Sequence, residues 1–190
     1  MTKWDDKAHI EAAKQDPDAF GEIYEQYIDR IYSYIYHRVG NRHDTEDLTS
    51  RTFYRALSHL STYEDKGLPF SAWLYRIAHN LVANWHRDRK RKPVVALDAL
   101  VTKSPPGERP EALLLMQDDN KLLGQLFHKL SPVRKELLIL KFNEGLSNAE
   151  IGSILGRSEG AIKSLYHRTL LQMRKEIKGG RVPDSQKGQG

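Results

Sequence analysis

The sequence predicts an all-α protein of two small helical domains joined by a flexible linker. Three observations support this class. Apolar residues recur at helical spacing in several segments, no segment alternates as a strand would, and a proline-rich stretch interrupts the middle of the chain. With 190 residues, 39% hydrophobic and 29% charged, the chain is long enough for two small cores.

The N-terminal domain begins with an amphipathic helix and a second, acidic helix. The apolar face of the first helix comprises Phe20, Ile23, Tyr24, Tyr27, Ile31, Tyr34 and Ile35. Gly40 and Asn41 end this helix, and Asp44 is predicted to cap the next one, with Asp47 three residues on. The apolar positions of that second helix are Leu48, Phe53, Leu57 and Leu60. A glycine and a proline in Ser61–Pro69 then predict a loop.

The next helix, WLYRIAHNLVANWHRDRKRK from Trp73 to Lys92, combines a core face with a basic end. At about 100° per residue, one half of its surface holds Trp73, Leu74, Ile77, Ala78, Leu81 and Trp85. The opposite edge holds Arg76, Asn80, Ala83, Asn84 and Arg87. An aromatic border, a strip of amides and a cationic end are typical of a surface that binds single-stranded nucleic acid. The structural alternative is that both tryptophans belong to the core and the basic run is a solvated helix end.

A linker separates this helix from the C-terminal half. Lys92–Pro110 contains four prolines and no sustained period, which favours a semi-extended segment. We therefore divide the chain into an N-terminal domain (1–92), a linker (93–112), a C-terminal domain (113–178) and a disordered tail (179–190).

Two predicted helices open the C-terminal domain. Glu111–Leu130 is leucine-rich, and Ser131 and Pro132 restart a helix with serine as cap and proline in the first turn. The apolar face of this second helix comprises Leu137, Leu138, Leu140 and Phe142. Gly145 ends it.

The segment Leu146–Lys175 has the pattern of a helix-turn-helix. Ser147 and Glu150 form a capping box, Gly156 and Arg157 make a tight turn, and Ser158 caps the following helix. The first helix buries Ile151, Ile154 and Leu155, and the second buries Ile162, Leu165, Tyr166, Thr169 and Met173. The opposite face presents Gly160, Lys163, Ser164, His167 and Arg168, which suits a DNA major groove. The alternative is an ordinary helical hairpin with a solvated basic face.

Charge is segregated along the chain, whose net charge is +5. Residues 1–65 hold eight Lys/Arg against thirteen Asp/Glu, residues 66–92 hold seven against one, and the remainder holds fifteen against eleven. This separation predicts two kinds of partner, one met by an acidic surface and one polyanionic. The alternative is a drift in the composition of solvated helix faces.

Several function classes are disfavoured. The chain has no cysteine, no apolar run at its start and no stretch long enough to span a bilayer, so we expect a cytoplasmic protein without membrane insertion. There is no nucleophile elbow or phosphate loop, and His79 and His86 lack an accompanying carboxylate pattern. We therefore expect no catalytic residues, no metal site and no cofactor.

Three motifs in order resemble the extracytoplasmic-function (ECF) sigma factors of bacterial RNA polymerase. FSAWLYRIAHNLVANWHRDRKR is similar to the second conserved region of that family, and DTEDLTSRTFYRAL to its polymerase-docking helix. LSPVRKELLILKFNEGLSNAEIGSILGRSEGAIKSLYHR resembles the fourth region. The resemblance covers roughly Phe20–Lys92 and Leu130–Lys175, with a variable linker between them.

The resemblance implies functional residues at the matching positions. Reading and opening the −10 element would fall to Tyr63, Trp73, Arg76, Asn80, Asn84, Arg87, Arg89, Lys90 and Arg91. Reading the −35 element would fall to Arg157, Ser158, Glu159, Gly160, Lys163, Ser164, His167 and Arg168. Binding of core polymerase would fall to Asp44, Glu46, Asp47, Leu48 and Phe53. The implied partners are core RNA polymerase, promoter DNA as duplex and opened strand, and an anti-sigma factor.

The chain departs from the family pattern at Asn84, Leu165 and Tyr166, where an aspartate, an arginine and a leucine are common. Promoter preference therefore cannot be copied from relatives. A helix-turn-helix regulator that binds an operator without polymerase is the alternative function. That alternative leaves the acidic helix and the Trp73 helix without a role.

Overall fold

The computed structural model describes residues 4–88, 126–127 and 129–180, and within these ranges it is helical with no strand, as predicted. Its helices are α1 (Asp6–Gln15), α2 (Phe20–Val39), α3 (Arg42–His59), α4 (Phe70–Asp88), α5 (Pro132–Leu138), α6 (Asn148–Leu155) and α7 (Glu159–Gly180). Short 3₁₀ turns cover Pro17–Ala19 and Leu60–Thr62, and a π-helical turn, Ile139–Asn143, continues α5. The predicted linker, residues 181–190 of the predicted tail and most of the helix predicted for Glu111–Leu130 lie outside the described residues, whereas Gly179 and Gly180, predicted to begin the tail, are the last residues of α7.

Helices α1 to α4 form the N-terminal unit around the apolar face of α2. The predicted core positions of that helix are buried, with Ile31, Tyr34 and Ile35 fully enclosed. Tyr24 is the exception, because it lies at the edge of the unit with 42% of its surface exposed and its ring 4.8 Å from that of Phe53. Gly40 ends α2 with φ of 67°, the left-handed conformation that glycine adopts without strain.

The start of α3 differs from the sequence prediction. Asn41, and not Asp44, is the cap: its side-chain oxygen accepts a hydrogen bond from the backbone N–H of Asp44 at 3.0 Å. The chain reverses at Gly40, so the first extended residue after the reversal takes the capping position. Along α3, Leu57 is 38% exposed although it was predicted to be a core residue.

Helices α5 to α7 form the C-terminal unit. Ser131 occupies the cap position of α5 and Pro132 its first turn, as predicted, although the serine hydroxyl accepts no capping hydrogen bond. Leu137 and Leu140 are fully buried, but Phe142 is 63% exposed. The π-helical turn changes the angular step between residues, and this turns Phe142 away from the core before Gly145, with φ of 67°, ends the segment.

The two units pack directly on each other. Helix α4 of the N-terminal unit contacts α6, and α2 contacts the π-helical turn. Consequently α4 is enclosed on two sides, and Tyr75, which the single apolar face did not include, is fully buried with its hydroxyl donating to Glu144 of the C-terminal unit.

Candidate nucleic-acid interface

A groove of about 460 Å³ lies between α4, the end of α3 and the loop that joins them. The loop contributes Tyr63, Lys66 and Pro69, and α4 contributes Trp73 and Asn80 to its walls. Gly67 adopts φ of 77°, and its backbone N–H is bound by the Asp65 carboxylate at 2.8 Å, which fixes the turn of the loop. Tyr63 and Asn80, both assigned to the −10 element by the resemblance, thus line the same groove.

An aromatic cluster forms one wall of the groove. The Trp73 ring lies 4.9 Å from Tyr63 and 5.3 Å from Phe70, and Phe70 is buried at the start of α4. Tyr63 and Trp73 remain partly exposed. Burial, together with the carboxylates of Asp65 and Asp6, raises the pKa of the Tyr63 hydroxyl, so the hydroxyl is neutral and can donate a hydrogen bond at neutral pH.

The predicted polar strip of α4 runs along the groove. Arg76, Asn80 and Arg87 are exposed and Asn84 is half-buried. Arg76 and Asn80 line the groove directly, whereas Arg87 lies two turns further on and is paired with Asp88 at 3.6 Å. The predicted phosphate contacts Arg89, Lys90 and Arg91 lie outside the described residues.

The groove also includes cations and a small residue that the sequence analysis did not assign to it. Arg55 and His59 line it from α3, and Lys66 lines it from the loop, where Glu64 is the acidic residue among the described lining residues. Ser153 of α6 lines the same groove from the C-terminal unit. Arg55 and His59 are four residues apart and therefore share one face of α3, which the sequence alone indicates. Their position beside the loop depends on tertiary packing, which the sequence spacing does not indicate.

The helix-turn-helix is held by local contacts. The capping box is present as predicted, with the Ser147 hydroxyl accepting from the Glu150 N–H at 3.2 Å and the Glu150 carboxylate accepting from the Ser147 N–H at 2.5 Å. The Ser158 hydroxyl accepts from the Ala161 N–H at 3.2 Å at the start of α7. Gly152 lies so close to the turn that an added Cβ would stand 2.6 Å from the Arg157 carbonyl oxygen. The approach of α6 to the turn therefore requires glycine.

The predicted major-groove face of α7 is fully accessible. Every predicted member is exposed, namely Arg157, Ser158, Glu159, Gly160, Lys163, Ser164, His167 and Arg168. Ile162, Leu165 and Thr169 are buried on the opposite side, so α7 is anchored by one face and presents the other. An added Cβ at Gly160 would meet no atom within 4 Å, so intramolecular packing does not require a glycine there. Leu165, one of the departures from the family pattern, is a core residue here.

The acidic side of α3 is partly exposed. Glu46 and Asp47 are on the surface and pair within the helix with Arg42 at 2.8 Å and Arg51 at 3.5 Å. Asp44 is buried. Leu48 and Phe53 are 1% and 4% exposed, so these two predicted polymerase contacts support the surface from inside the core and do not form part of it.

One exposed aromatic was missed on this face. Tyr54 is 72% exposed and follows Asp47 and Arg51 at steps of four and three along α3, so the three side chains share one side of the helix. The spacing is readable from the sequence. The exposure of the tyrosine is not, because an aromatic at helical spacing is more often part of a core.

The described residues contain neither a membrane-spanning helix nor a cluster of metal-binding side chains. No helix there is both long and apolar enough to cross a membrane. Within the same ranges, no three His, Asp or Glu side chains come together as a metal site would require.

Two family models match the chain in order along it. Sigma-70 region 2 matches residues 23–92, and Sigma-70, region 4 matches residues 120–173. The first match contains α3 and α4, and the second contains the helix-turn-helix.

Curated relatives align over most of the chain. It is 40% identical over 153 residues to the ECF RNA polymerase sigma factor BldN of Streptomyces coelicolor, covering 80% of this chain and 58% of BldN. It is 34% identical over 175 residues to the ECF RNA polymerase sigma factor SigW of Bacillus subtilis, covering 87% of this chain and 92% of SigW. The chain thus spans nearly all of one relative and somewhat over half of the other.

Solved structures share the fold. CnrH, in complex with the cytosolic domain of CnrY, superposes with a TM-score of 0.62 at 20% identity, covering 92% of this chain and 97% of CnrH. RpoE of Bartonella quintana, in complex with the anti-sigma factor NepR, gives a TM-score of 0.61 at 22% identity, covering 85% of this chain and 98% of RpoE.

Proposed function

The chain belongs to the ECF sigma factors of RNA polymerase, and from this premise we propose that it binds core polymerase in the cytoplasm and directs promoter-specific transcription initiation. Sigma factors are non-catalytic polymerase subunits, so no reaction is assigned to the chain itself. One observation supports the proposal above all. The chain has a groove suited to single strands in the region 2 match and a helix-turn-helix with an exposed basic face in the region 4 match.

The groove beside α4 is our candidate for the opened strand of the −10 element. Trp73 and Tyr63 supply aromatic faces on which a base can stack, and Asn80 supplies an amide for a base edge. Arg55, Lys66 and Arg76 supply positive charge for the backbone. Opening each base step costs roughly a few kcal/mol, and capture of an unstacked base would offset part of that cost. Strand opening would then need no nucleotide hydrolysis.

The exposed face of α7 is our candidate for the −35 element. Ser164 and His167 are placed to meet base edges, and Lys163 and Arg168 to meet phosphates. Gly160 lacks an intramolecular packing requirement, so the missing side chain is best explained by a close approach of the duplex.

The exposed side of α3 is our candidate for docking on core polymerase. Glu46, Asp47 and Tyr54 combine negative charge with an accessible aromatic, a composition that suits a basic partner surface. Such a partner must compete with Arg42 and Arg51 for these carboxylates, but exposed ion pairs within a helix are weak.

An anti-sigma factor is the third proposed partner. The similar structures of CnrH and RpoE contain the cytosolic domain of CnrY and the anti-sigma factor NepR, respectively. The domain division we propose remains 1–92, 93–112, 113–178 and 179–190, with the first part for docking and the −10 element and the third for the −35 element.

Run-off transcription with purified core polymerase tests the proposal. Genomic fragments of the source organism serve as templates, and we expect discrete transcripts only when the chain is added. Tight, specific duplex binding by the chain alone, with no transcripts on adding core polymerase, would instead favour the operator-binding regulator. A variant with Lys163→Ala and Arg168→Ala is the matched control, because it keeps the fold and loses promoter-specific starts.

A further inference from the structure

A buried carboxylate joins the two units. Glu136 Oε1 of α5 accepts hydrogen bonds from Arg38 Nη1 at 2.5 Å and from the Tyr34 hydroxyl at 2.6 Å, both on α2. The same oxygen lies 2.7 Å from His79 Nδ1 on α4. The acidic group therefore comes from the C-terminal unit, and its three partners come from two helices of the N-terminal unit.

The burial of this cluster makes the pairing obligatory. Only 6% of the Glu136 side chain and 12% of the Arg38 side chain are exposed. Burial raises the pKa of the Glu136 carboxyl, but the Arg38 charge and the His79 contact outweigh it and hold that pKa below its usual value. An ion pair enclosed this far is tolerated only while both members are present, since either charge alone would be stranded away from water.

A second acidic residue repeats the pattern 8 positions along the chain. Glu144, whose side chain is 5% exposed, accepts from the Tyr75 hydroxyl and lies 3.5 Å from Arg30 Nε. At both sites the acid belongs to the C-terminal unit and the arginine and tyrosine to the N-terminal unit. The contact between the units therefore combines a shared apolar core with two buried acid–arginine–tyrosine clusters of complementary sign.

The contact between the units also covers part of the single-strand groove. Helix α6 packs on α4, and its Ser153 lines the groove beside Ile77 and Asn80. A strand entering the groove along the polar strip of α4 would meet α6. The recognition face of α7, in contrast, stays exposed in the same arrangement.

We propose that Glu136 with Arg38, Tyr34 and His79, reinforced by Glu144 with Tyr75 and Arg30, forms a latch that holds the C-terminal unit across the single-strand groove in the free chain. Separation of the units then uncovers the groove while each charged group returns to water. The latch itself follows from the contacts, and only the ligand of the groove rests on the proposed function.

Distance measurements between two spin labels test the latch. The chain has no cysteine, so Gln26→Cys on α2 and Arg174→Cys on α7, both exposed, give a uniquely labelled protein. We expect a short, narrow distance distribution for this protein and a longer, broader one after Glu136→Gln. Glu11→Gln is the matched control, because it changes the net charge equally but removes only the exposed pair with Lys14.

A double substitution distinguishes loss of the latch from the effect of leaving a buried charge without its partner. Arg38→Met combined with Glu136→Gln removes both charges and leaves no stranded guanidinium, but it also removes the ion pair, so we expect a distance distribution between that of Glu136→Gln and that of the parent. A long, broad distribution in the folded parent protein overturns the latch. So does an unchanged distribution in a Glu136→Gln protein that keeps its helical circular dichroism.

Binding of single-stranded DNA tests the covering of the groove. With a fluorescein-labelled strand of about 12 randomised nucleotides, we expect Glu136→Gln to bind about threefold or more tightly than the parent, and Glu11→Gln to bind like the parent. Units that separate without any gain in binding overturn the covering of the groove. Failure of the run-off assay alongside separation and tighter binding would contradict the proposed function alone.

Discussion

The Trp73 indole lies 4.9 Å from the Tyr63 ring, the two planes inclined at 53°, so that one wall of the single-strand groove is aromatic from the loop to the first turn of α4. Phe70 supports both rings from the core at 5.2 and 5.3 Å. Contacts with Phe70 thus place both rings in the free chain, and such preorganisation lowers the ordering cost of stacking a base on them.

Trp73→Ala should weaken binding of opened promoter DNA by about 1–3 kcal/mol, because a stacking surface is lost. Trp73→Phe keeps an aromatic face and should retain most of the affinity. The measurement is the stability of the open complex with core polymerase in a permanganate or competitor-challenge assay. Equal open-complex lifetimes for the alanine variant and the parent would contradict the role of this wall.

Asp47→Arg should lower affinity for core polymerase by about tenfold or more, because it sets a cation against a basic partner surface. Asp47 is exposed and its pair with Arg51 is long, at 3.5 Å, so the fold should be unaffected. Asp18→Arg, an exposed change away from α3, is the control in the same pull-down. Unchanged affinity of the Asp47 variant would count against docking through α3.

Replacing both Lys163 and Arg168 by alanine should reduce promoter affinity and flatten its salt dependence. Loss of two phosphate contacts should lower the slope of log affinity against log salt by about 1.8 in magnitude, since each contact releases roughly 0.9 of a counterion. Arg174→Ala with Lys175→Ala removes two exposed cations further along α7 and serves as the matched control. Identical slopes in the parent and the Lys163/Arg168 variant would show that this face does not meet phosphates.

Two glycine substitutions in the helix-turn-helix should differ in their effect on stability. Gly152→Ala places a Cβ 2.6 Å from the Arg157 backbone oxygen and should destabilise the C-terminal unit by about 1–3 kcal/mol. Gly160 lies in α7, and a Cβ added there would have no atom within 4 Å. Gly160→Ala should therefore leave stability unchanged or raise it by up to about 1 kcal/mol. Thermal unfolding followed by circular dichroism measures both. A similar change in Tm for the two variants would contradict the close approach at Gly152.

Stability should fall as the pH drops below about 6.5, in part through His86. Burial of this ring, and then the nearby Arg38 charge, lower its pKa from 6.5, and the Glu136 carboxylate opposes them. A histidine whose pKa is depressed on folding binds fewer protons folded than unfolded, so its contribution is present at higher pH and lost as the pH falls. His86→Gln should give a shallower fall in the free energy of unfolding between pH 7 and pH 5, measured by urea titration. Parallel pH profiles of the two proteins would exclude His86 as a source.

Local signals accounted for most of what the sequence could predict. The capping box at Ser147 and Glu150 and the left-handed Gly156 depend on residues within one or two turns, and both are present. The cap of α3 was predicted three residues too late, at Asp44, because Asn41 was assigned to the end of the preceding helix when it also begins the next one. Phe142 was predicted to be buried because a regular helix was assumed where the chain makes a π-helical turn.

Contacts between distant residues could not be predicted from spacing. Glu136 lies 98 residues from Arg38 and 57 from His79, and no local pattern marks a glutamate in a leucine-rich helix as buried. Tyr75 was omitted from the core because one apolar face per helix was assumed, whereas α4 is enclosed from two sides. A binding surface with Trp73 and Asn80 was predicted from the sequence, but the groove that they line and the approach of Ser153 to it were not.

The buried ion pair has its cation, Arg38, in the N-terminal half and its anion, Glu136, in the C-terminal half, and this matters when halves of related proteins are joined in a chimaera. A chimaera that inherits its C-terminal half from a paralogue with an uncharged side chain at the place of Glu136 would bury a guanidinium without a counterion whenever the halves met. In such a hybrid the two units would be separated for a larger fraction of the time than in either parent. Its measured activity would therefore depend on this separation as well as on the promoter preference of the imported half. Exchanging the glutamates together with their basic counterparts would keep the two effects apart.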